Sequence, residues 1–365
     1  MTNKKLKIAI NTGGGDAPGL NAVIQAVTLS ALNRGWEVLG IRNGYAGLLD
    51  TSKIIPLTRE KVWHIASMGG TILGTTNKGN PFSFPIQNEK GETELKDISA
   101  KVVENFKKLN LDCLVAIGGD GSLEIAHRFY QLGIPVIGVP KTIDNDLRAT
   151  VVTFGFDTAV SIATEAIDRL HSTAQSHDRV MVVEVMGRHA GWIALNSGIS
   201  GAADVILIPE IPFDLDKICR HIQNLEKVGQ NYAIVVVAEG AKLAGGSQMN
   251  KGTGEAGRQD VLLGGIAEWL SKQISDKIKK DSRSIVLGHL QRGGSPTTFD
   301  RLISLRFGAA AVRFICEGNF GTMVALVPPL VKAIPIEQVI GDIKRVPIDC
   351  DSVLTAKDIG ICFGD

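Results

Sequence analysis

Apolar residues in this chain gather into short runs. Residues 6–10, 37–41, 111–117, 134–139, 180–185, 204–208, 232–238, 284–287 and 322–327 are each about one strand long, with few polar positions. A strand covered on both faces reads this way, whereas a half-exposed strand alternates. Between the runs, helical periodicity predicts helices over 20–33, 98–109, 122–133, 158–176, from about 190, over 261–279 and over 298–316. Strands alternating with helices predict an α/β fold with mostly parallel sheets. Residues 81–94 are polar and read as a surface loop. Residues 242–259 (KLAGGSQMNKGTGEAGRQ) read as a mobile loop or an insertion. From 338 onward no pattern places the chain.

Open parallel sheets bind ligands at the carboxyl ends of their strands, so the residues after each run carry the chemistry. The run 111–117 is followed by Gly118, Gly119, Asp120, Gly121 and Ser122, with Ser122 near the N-cap of the next helix. Strand, glycine turn and helix N-terminus form a phosphate cradle, and Asp120 is placed to hold Mg²⁺ beside phosphate oxygens. Taken alone, the same string is a tight strand–helix turn, and several unrelated kinase families use GGDG. After the run 134–139 come Pro140, Lys141, Thr142, Ile143, Asp144, Asn145 and Asp146. An extended backbone would put Asp144 and Asp146 on one side. Of two such carboxylates, one can accept a proton while the other orients it or helps with metal, and their repulsion raises the proton affinity of one. An Asx-rich turn is the competing reading. The turn at 13–19 (GGGDAPG) follows the first run, yet it is not GxGxxG. Arg42, not an acid, follows the second run, so a dinucleotide-dependent oxidoreductase lacks its ribose partner.

Composition narrows the rest. The 365 residues are 44% hydrophobic and 21% charged, which suits two domains or lobes with ample core. A net charge of +1 disfavours nucleic acid and anionic membranes as partners, leaving anionic substrates to local arginine and lysine clusters. The five cysteines (Cys113, Cys219, Cys316, Cys350, Cys362) form no CxxC pair, which fits reduced thiols in the cytoplasm and no cysteine metal site. No signal segment follows Met1 and no apolar run is long enough to span a membrane.

With GGDGS, PKTIDND, GGDAPG, MGR at 186–188 and GHLQRGG at 288–294 in hand, the chain resembles the 6-phosphofructokinase family from Lys7 to beyond Arg301. A lipid or NAD kinase would share GGDG without the other strings. The resemblance implies two Rossmann-like three-layer αβα lobes with mostly parallel sheets and the active site in the cleft between them. The expected boundaries are 1–153 plus 291–337 for the nucleotide lobe and 154–290 plus 338–365 for the sugar-phosphate lobe. It implies phosphorylation of fructose 6-phosphate at its 1-hydroxyl in glycolysis, with Asp144 as general base, Thr142 and Asp146 supporting that turn, and Asp120 anchoring Mg²⁺. Gly14, Tyr45, Gly119, Gly121 and Ser122 would then meet ATP. Lys78 stands near the place of a family arginine that bridges the two phosphates. Met186, Gly187, Arg188 and Glu239 would meet the sugar. His289, Arg292 and Arg283 read as one basic cluster on the 6-phosphate, and Arg179 (SHDR) would reach the sugar phosphate of a neighbouring subunit in a homotetramer.

Donor identity turns on two positions. Gly121 leaves room for the α-phosphate of ATP, where pyrophosphate-using relatives carry aspartate. Lys141 matches pyrophosphate users, since ATP-specific bacterial members tend to have glycine there. A missing side chain permits ATP and Lys141 does not forbid it, so ATP is expected. A pyrophosphate-dependent fructose 6-phosphate 1-phosphotransferase is the alternative, and a non-catalytic sensor the remote one. Gln25, Leu29 and His171 occupy places that are basic in bacterial effector pockets, so ADP and phosphoenolpyruvate control is expected to be weak or differently built.

Overall fold

The computed structural model describes residues 5–87, 91–252 and 262–365. From the amino terminus, β1 (Lys7–Thr12) leads through α1 (Leu20–Leu32) to β2 (Glu37–Ile41) and β3 (Ile54–Pro56). A hairpin of β4 (Phe84–Gln87) and β5 (Thr93–Lys96) precedes α2 (Ser99–Lys108). Then follow β6 (Cys113–Gly118), α3 (Asp120–Gln131), β7 (Val136–Pro140), α4 (Phe156–Ser176), β8 (Val180–Val185) and α5 (Trp192–Ser200). Next are β9 (Val205–Leu207), α6 (Leu215–Lys227), β10 (Ala233–Ala238), β11 (Asn250–Gly252) and β12 (Leu262–Leu263). The chain ends with α7 (Ile266–Ile278), β13 (Ser282–Val286), α8 (Thr298–Glu317), β14 (Thr322–Val327), β15 (Leu330–Pro335) and α9 (Asp351–Asp358).

Two sheets result. One has the order β15-β14-β7-β6-β1-β2-β3 and the other β13-β8-β10-β9. Within the two larger sheets all pairings are parallel except those of β3 and β15 at the two edges of the first sheet. The near-continuous apolar runs have a direct cause: alternate side chains enter different helix layers. In the first sheet Ile8, Ile10, Val115 and Ile117 pack on α1 and α8 through Val23, Val27 and Phe307. Their neighbours Ala9, Leu114 and Ala116 pack on α2 and α3 through Val102, Phe106 and Phe129. The second sheet repeats the arrangement. Met181, Val183 and Val236 meet α4, α5 and α9, while Val180, Val182 and Val235 meet α6 and α7. This is the α/β arrangement with mostly parallel sheets expected from the pattern, with the three layers that the resemblance implied.

Five readings change. The stretch 81–94 is not a plain loop: it holds β4 and the start of β5, whose residues are all exposed. The helix expected over 261–279 begins only at Ile266, and the one expected near 190 begins at Trp192. The strand 322–327 is not the last, because β15 pairs with it antiparallel. The carboxyl-terminal segment, unplaced by pattern, contains α9 and then lays Cys362 along β9, with Ile206 N donating to Cys362 O at 2.9 Å. Of the 242–259 stretch, residues 253–259 lie outside the described residues. No helix among the described residues is long and apolar enough to cross a membrane.

Candidate active site

The turn after β1 sets one wall. Gly13 N donates to Ile117 O at 2.9 Å, tying the ends of β1 and β6 together. A Cβ on Gly13 would stand 2.6 Å from Ser122 Oγ and 3.2 Å from Ser122 Cβ, so any larger residue would have to displace that side chain. Gly14 takes a left-handed φ of 77° and donates to Thr76 O at 3.1 Å. Thr75 Oγ1 donates to Gly14 O at 2.6 Å, so the 68–80 segment is stitched onto this turn. That segment brings Thr76, Asn77 and Lys78 to the cleft.

Helix α3 starts at Asp120 with Gly119 as its N-cap and no side-chain cap. Ser122, expected near the cap, is therefore inside the helix, three residues beyond Gly119. The open N-terminus keeps its first amides available to an anion, with the helix dipole behind them. Tyr45 is buried, and its hydroxyl donates to Ser122 O at 2.8 Å, bracing that first turn. Burial raises its pKa well above the usual value.

Asp120 Oδ1 is buried without a hydrogen-bond partner. Desolvation raises its pKa, the Gly341 amide opposes this, and Asp146 and Glu124 add to the rise. An orphaned carboxylate oxygen at a helix N-terminus fits a divalent cation. Among the described residues no group of three or more His, Cys, Asp or Glu converges on a metal position. A cation here would thus depend on phosphate and water for its other ligands, as Mg²⁺ commonly does.

The PKTIDND turn follows β7 and is not extended. Asn145 has a left-handed φ of 52°, so simple alternation does not relate the two aspartates. Both nevertheless line the cleft. Thr142 Oγ1 accepts from Asp144 N at 3.1 Å, and Thr153 Oγ1 donates to Thr142 O at 2.7 Å. Asp144 Oδ1 is buried and unpartnered. Burial, then the charge of Asp146, pushes the Asp144 carboxyl up to about 7, while Arg292 and Arg188 pull it down. Burial raises Asp146 as well. Lys141 is 4% exposed, and burial followed by Arg292 lowers its pKa to about 7. Its ammonium lies 3.2 Å from where a Gly14 Cβ would be, between the glycine turn and the aspartates.

The opposite wall comes from the second sheet. Met186, Arg188 and His189 follow β8, Glu239 follows β10, and His289 and Arg292 follow β13. Gly187, at φ 135°, shapes the β8 turn; a Cβ there would stand 2.8 Å from Ala190 O. Arg292 Nη1 donates to Asp16 O at 2.9 Å and so reaches the first wall. Burial raises Glu239, with Arg188, Arg292 and His289 opposing. The walls enclose a cleft of about 610 Å³.

Two expected site residues are elsewhere. Arg179 precedes β8 and Arg283 is the second residue of β13, at the opposite ends of these strands from Arg188 and His289. Both arginines pair with Asp281, Arg283 Nη2 at 3.2 Å. Arg283 therefore does not join His289 and Arg292 within one chain. Residues that sequence reasoning passed over include Asp16, Thr76, Asn80, Glu124 and Ile343, all on the cleft. Gln25 and His171 of the expected effector region are engaged internally, with Ala66 N and Gly201 O.

The phosphofructokinase family model matches residues 7–315. An ATP-dependent 6-phosphofructokinase of Chloroflexus aurantiacus is 50% identical over 365 residues, covering all of this chain and 99% of that protein. ATP-dependent 6-phosphofructokinase 2 of Clostridium perfringens is 51% identical over 98% of each chain. Among solved structures, Pichia pastoris phosphofructokinase aligns at TM-score 0.78 and 30% identity, covering 98% of this chain and 36% of that one. The pyrophosphate-dependent phosphofructokinase of Nitrosospira multiformis shares the fold at TM-score 0.79 and 24% identity, over 99% of this chain and 93% of that one. With the family model matching residues 7–315 and two relatives about half identical along nearly the whole length, the chain belongs to the phosphofructokinase family.

Proposed function

We propose that the cleft transfers the γ-phosphoryl group of ATP to the 1-hydroxyl of fructose 6-phosphate, giving fructose 1,6-bisphosphate and ADP. The chain is an ATP-dependent 6-phosphofructokinase, in line with relatives that are half identical over its whole length. The observation that carries the residue assignment is Asp144: buried, with one oxygen unpartnered, raised to about 7 and facing Arg188 and Arg292. A carboxylate with that proton affinity suits removal of a proton from an attacking hydroxyl near neutral pH. We assign Asp144 as the general base. Thr142 and Asp146 hold its turn, and Arg188, Met186, Gly187 and Glu239 orient the sugar. His289 and Arg292 hold the 6-phosphate.

On the donor side, the glycine turn at Gly14, the first turn of α3 from Gly119 to Ser122, Tyr45 and Lys78 receive ATP. Phosphoryl transfer depends mostly on positioning and charge neutralisation. Mg²⁺, when bound with the nucleotide, neutralises phosphate charge, and Asp120 is the residue that would hold it. Arg292 places a cationic side chain, and Lys141 an amine whose pKa burial lowers to about 7, beside the path between Gly14 and Asp144. The sheet division supports lobes of 1–153 with 291–337 and 154–290 with 338–365. Arg179 and Arg283, being remote from the cleft, serve the site of a neighbouring subunit in a homotetramer, a glycolytic enzyme of the cytoplasm.

The test is a paired initial-rate assay at fixed fructose 6-phosphate and Mg²⁺, with ATP in one arm and pyrophosphate in the other. Turnover with ATP alone is expected. Turnover with pyrophosphate alone would mean that Lys141 outweighs the open position at Gly121.

A further inference from the structure

We infer that Lys344, in the carboxyl-terminal segment, is a positioning residue for phosphoryl transfer that holds the Asp144–Asp146 turn in its bent form. The inference rests on the reading of Asp144 as the base. Asn145 sits between the two aspartates at φ 52°, a left-handed conformation that asparagine tolerates better than other non-glycine residues and that hydrogen bonds to its side chain give further support. That support comes through Asn145 Oδ1. It accepts from Thr153 N at 3.1 Å and from Lys344 Nζ at 2.9 Å, which uses both lone pairs of the amide oxygen. Lys344 also donates its backbone N–H to Asp146 O at 2.8 Å. Lys344 therefore grips the turn by both side chain and main chain.

The remaining contacts of Lys344 fix where that grip is anchored. Nζ donates to Thr150 O at 3.0 Å and to Val151 O at 3.1 Å. Its carbonyl accepts from Trp192 Nε1 at 2.9 Å, and its ammonium lies 5.8 Å from the Trp192 ring centroid. Trp192 is the first residue of α5, which packs on the second sheet. One lysine thus joins the proposed catalytic turn, the 150–151 segment and the α5 helix layer of the second sheet. All three ammonium hydrogens go to uncharged oxygens. The carboxylate whose charge it feels is Asp146, and burial lowers its own pKa to about 8 against that pull. A residue needed only to anchor the tail would not require a desolvated ammonium aimed at the amide between two catalytic carboxylates.

The experiment compares Lys344→Met, Asn145→Gly and the double variant, with Asp144→Asn alongside. Methionine keeps the length of Lys344 and removes its donors, while glycine at 145 keeps the left-handed φ and removes the acceptor. The expected result is a kcat lowered about 10- to 100-fold in each single variant, as small misplacements of reacting groups produce. The KM values for ATP and fructose 6-phosphate should stay within about twofold. The double variant should be little worse than the weaker single, because both remove one shared hydrogen bond. An unchanged kcat with a lowered Tm would make Lys344 a tail anchor and overturn the inference. So would KM values that rise together with the kcat loss, or losses that multiply in the double variant. If Lys344→Met does not fold, Asn145→Gly alone carries the test. Full activity of Asp144→Asn would instead sink the base assignment, a separate outcome.

Discussion

Asp144, the proposed base, is a single buried carboxylate expected to set both the pH profile and a stability cost. Burial and the neighbouring Asp146 raise it from an ordinary 3.8 to about 7. The base form is lost as pH falls through that value, so kcat/KM should decline on the acid side of about pH 7, the limb belonging to the pair. Asp144→Asn should lower kcat by about 10²- to 10⁴-fold and remove that limb. For stability the sign is opposite. A raised carboxyl pKa contributes stability that is full below the ordinary value and lost as pH rises through about 7, because the ionised form is desolvated. Asp144→Asn should therefore melt above the wild type at pH 8, with a smaller margin at pH 5. Each kcal/mol of relief corresponds to roughly 2–4 °C. A margin that shrinks as pH rises would mean that the pair is not desolvated. The pair itself was legible in TIDND; its bent geometry was not, since φ at Asn145 depends on Thr153 and Lys344, distant in sequence.

Elements were legible where burial on both faces left an unbroken apolar run, as in β8 and β10, every residue of which is buried. They were illegible where packing and pattern part company. β5 is exposed throughout and carries no burial signal, and β15 follows Pro328 and Pro329, which read as a break. The start of α3 was misplaced because serine is the usual cap, yet Gly119 fills that role. The missing cap has a functional consequence at the scale of the helix. Its first turn already carries Asp120, and the remaining dipole and amides are open to phosphate. Gly121→Asp would set a second carboxylate on that turn. It should raise the KM for ATP at least about tenfold, by repulsion at an anion-binding terminus, and leave that for fructose 6-phosphate near its original value. Equal changes in both constants would mean that the first turn of α3 does not face the donor.

At the scale of the whole molecule, the second sheet separates two sets of arginines by its own length. Six residues of β8 span about 20 Å, with Arg179 before the strand and Arg188 beyond its end. Arg283 and His289 are divided in the same way by β13. Spacing in the sequence suggested one basic cluster; strand direction makes it two. The outer pair shares Asp281, and Arg179 and Arg283 keep 30% and 60% of their side-chain surface exposed. Such surface ion pairs contribute little, so releasing them to a phosphate is cheap. A single chain cannot bring them to His289 and Arg292, the proposed holders of the sugar phosphate, whereas a symmetric assembly can present one subunit's outer arginines to its neighbour's cleft. Arg179→Ala should then raise the KM for fructose 6-phosphate while sparing that for ATP. Co-assembly of Asp144→Asn subunits with Arg179→Ala subunits should restore turnover at low fructose 6-phosphate that neither parent shows alone. The restored sites would pair an intact Asp144 from one subunit with an intact Arg179 from the other. Mixed assemblies no more active than the parents would place Arg179 outside the working site altogether.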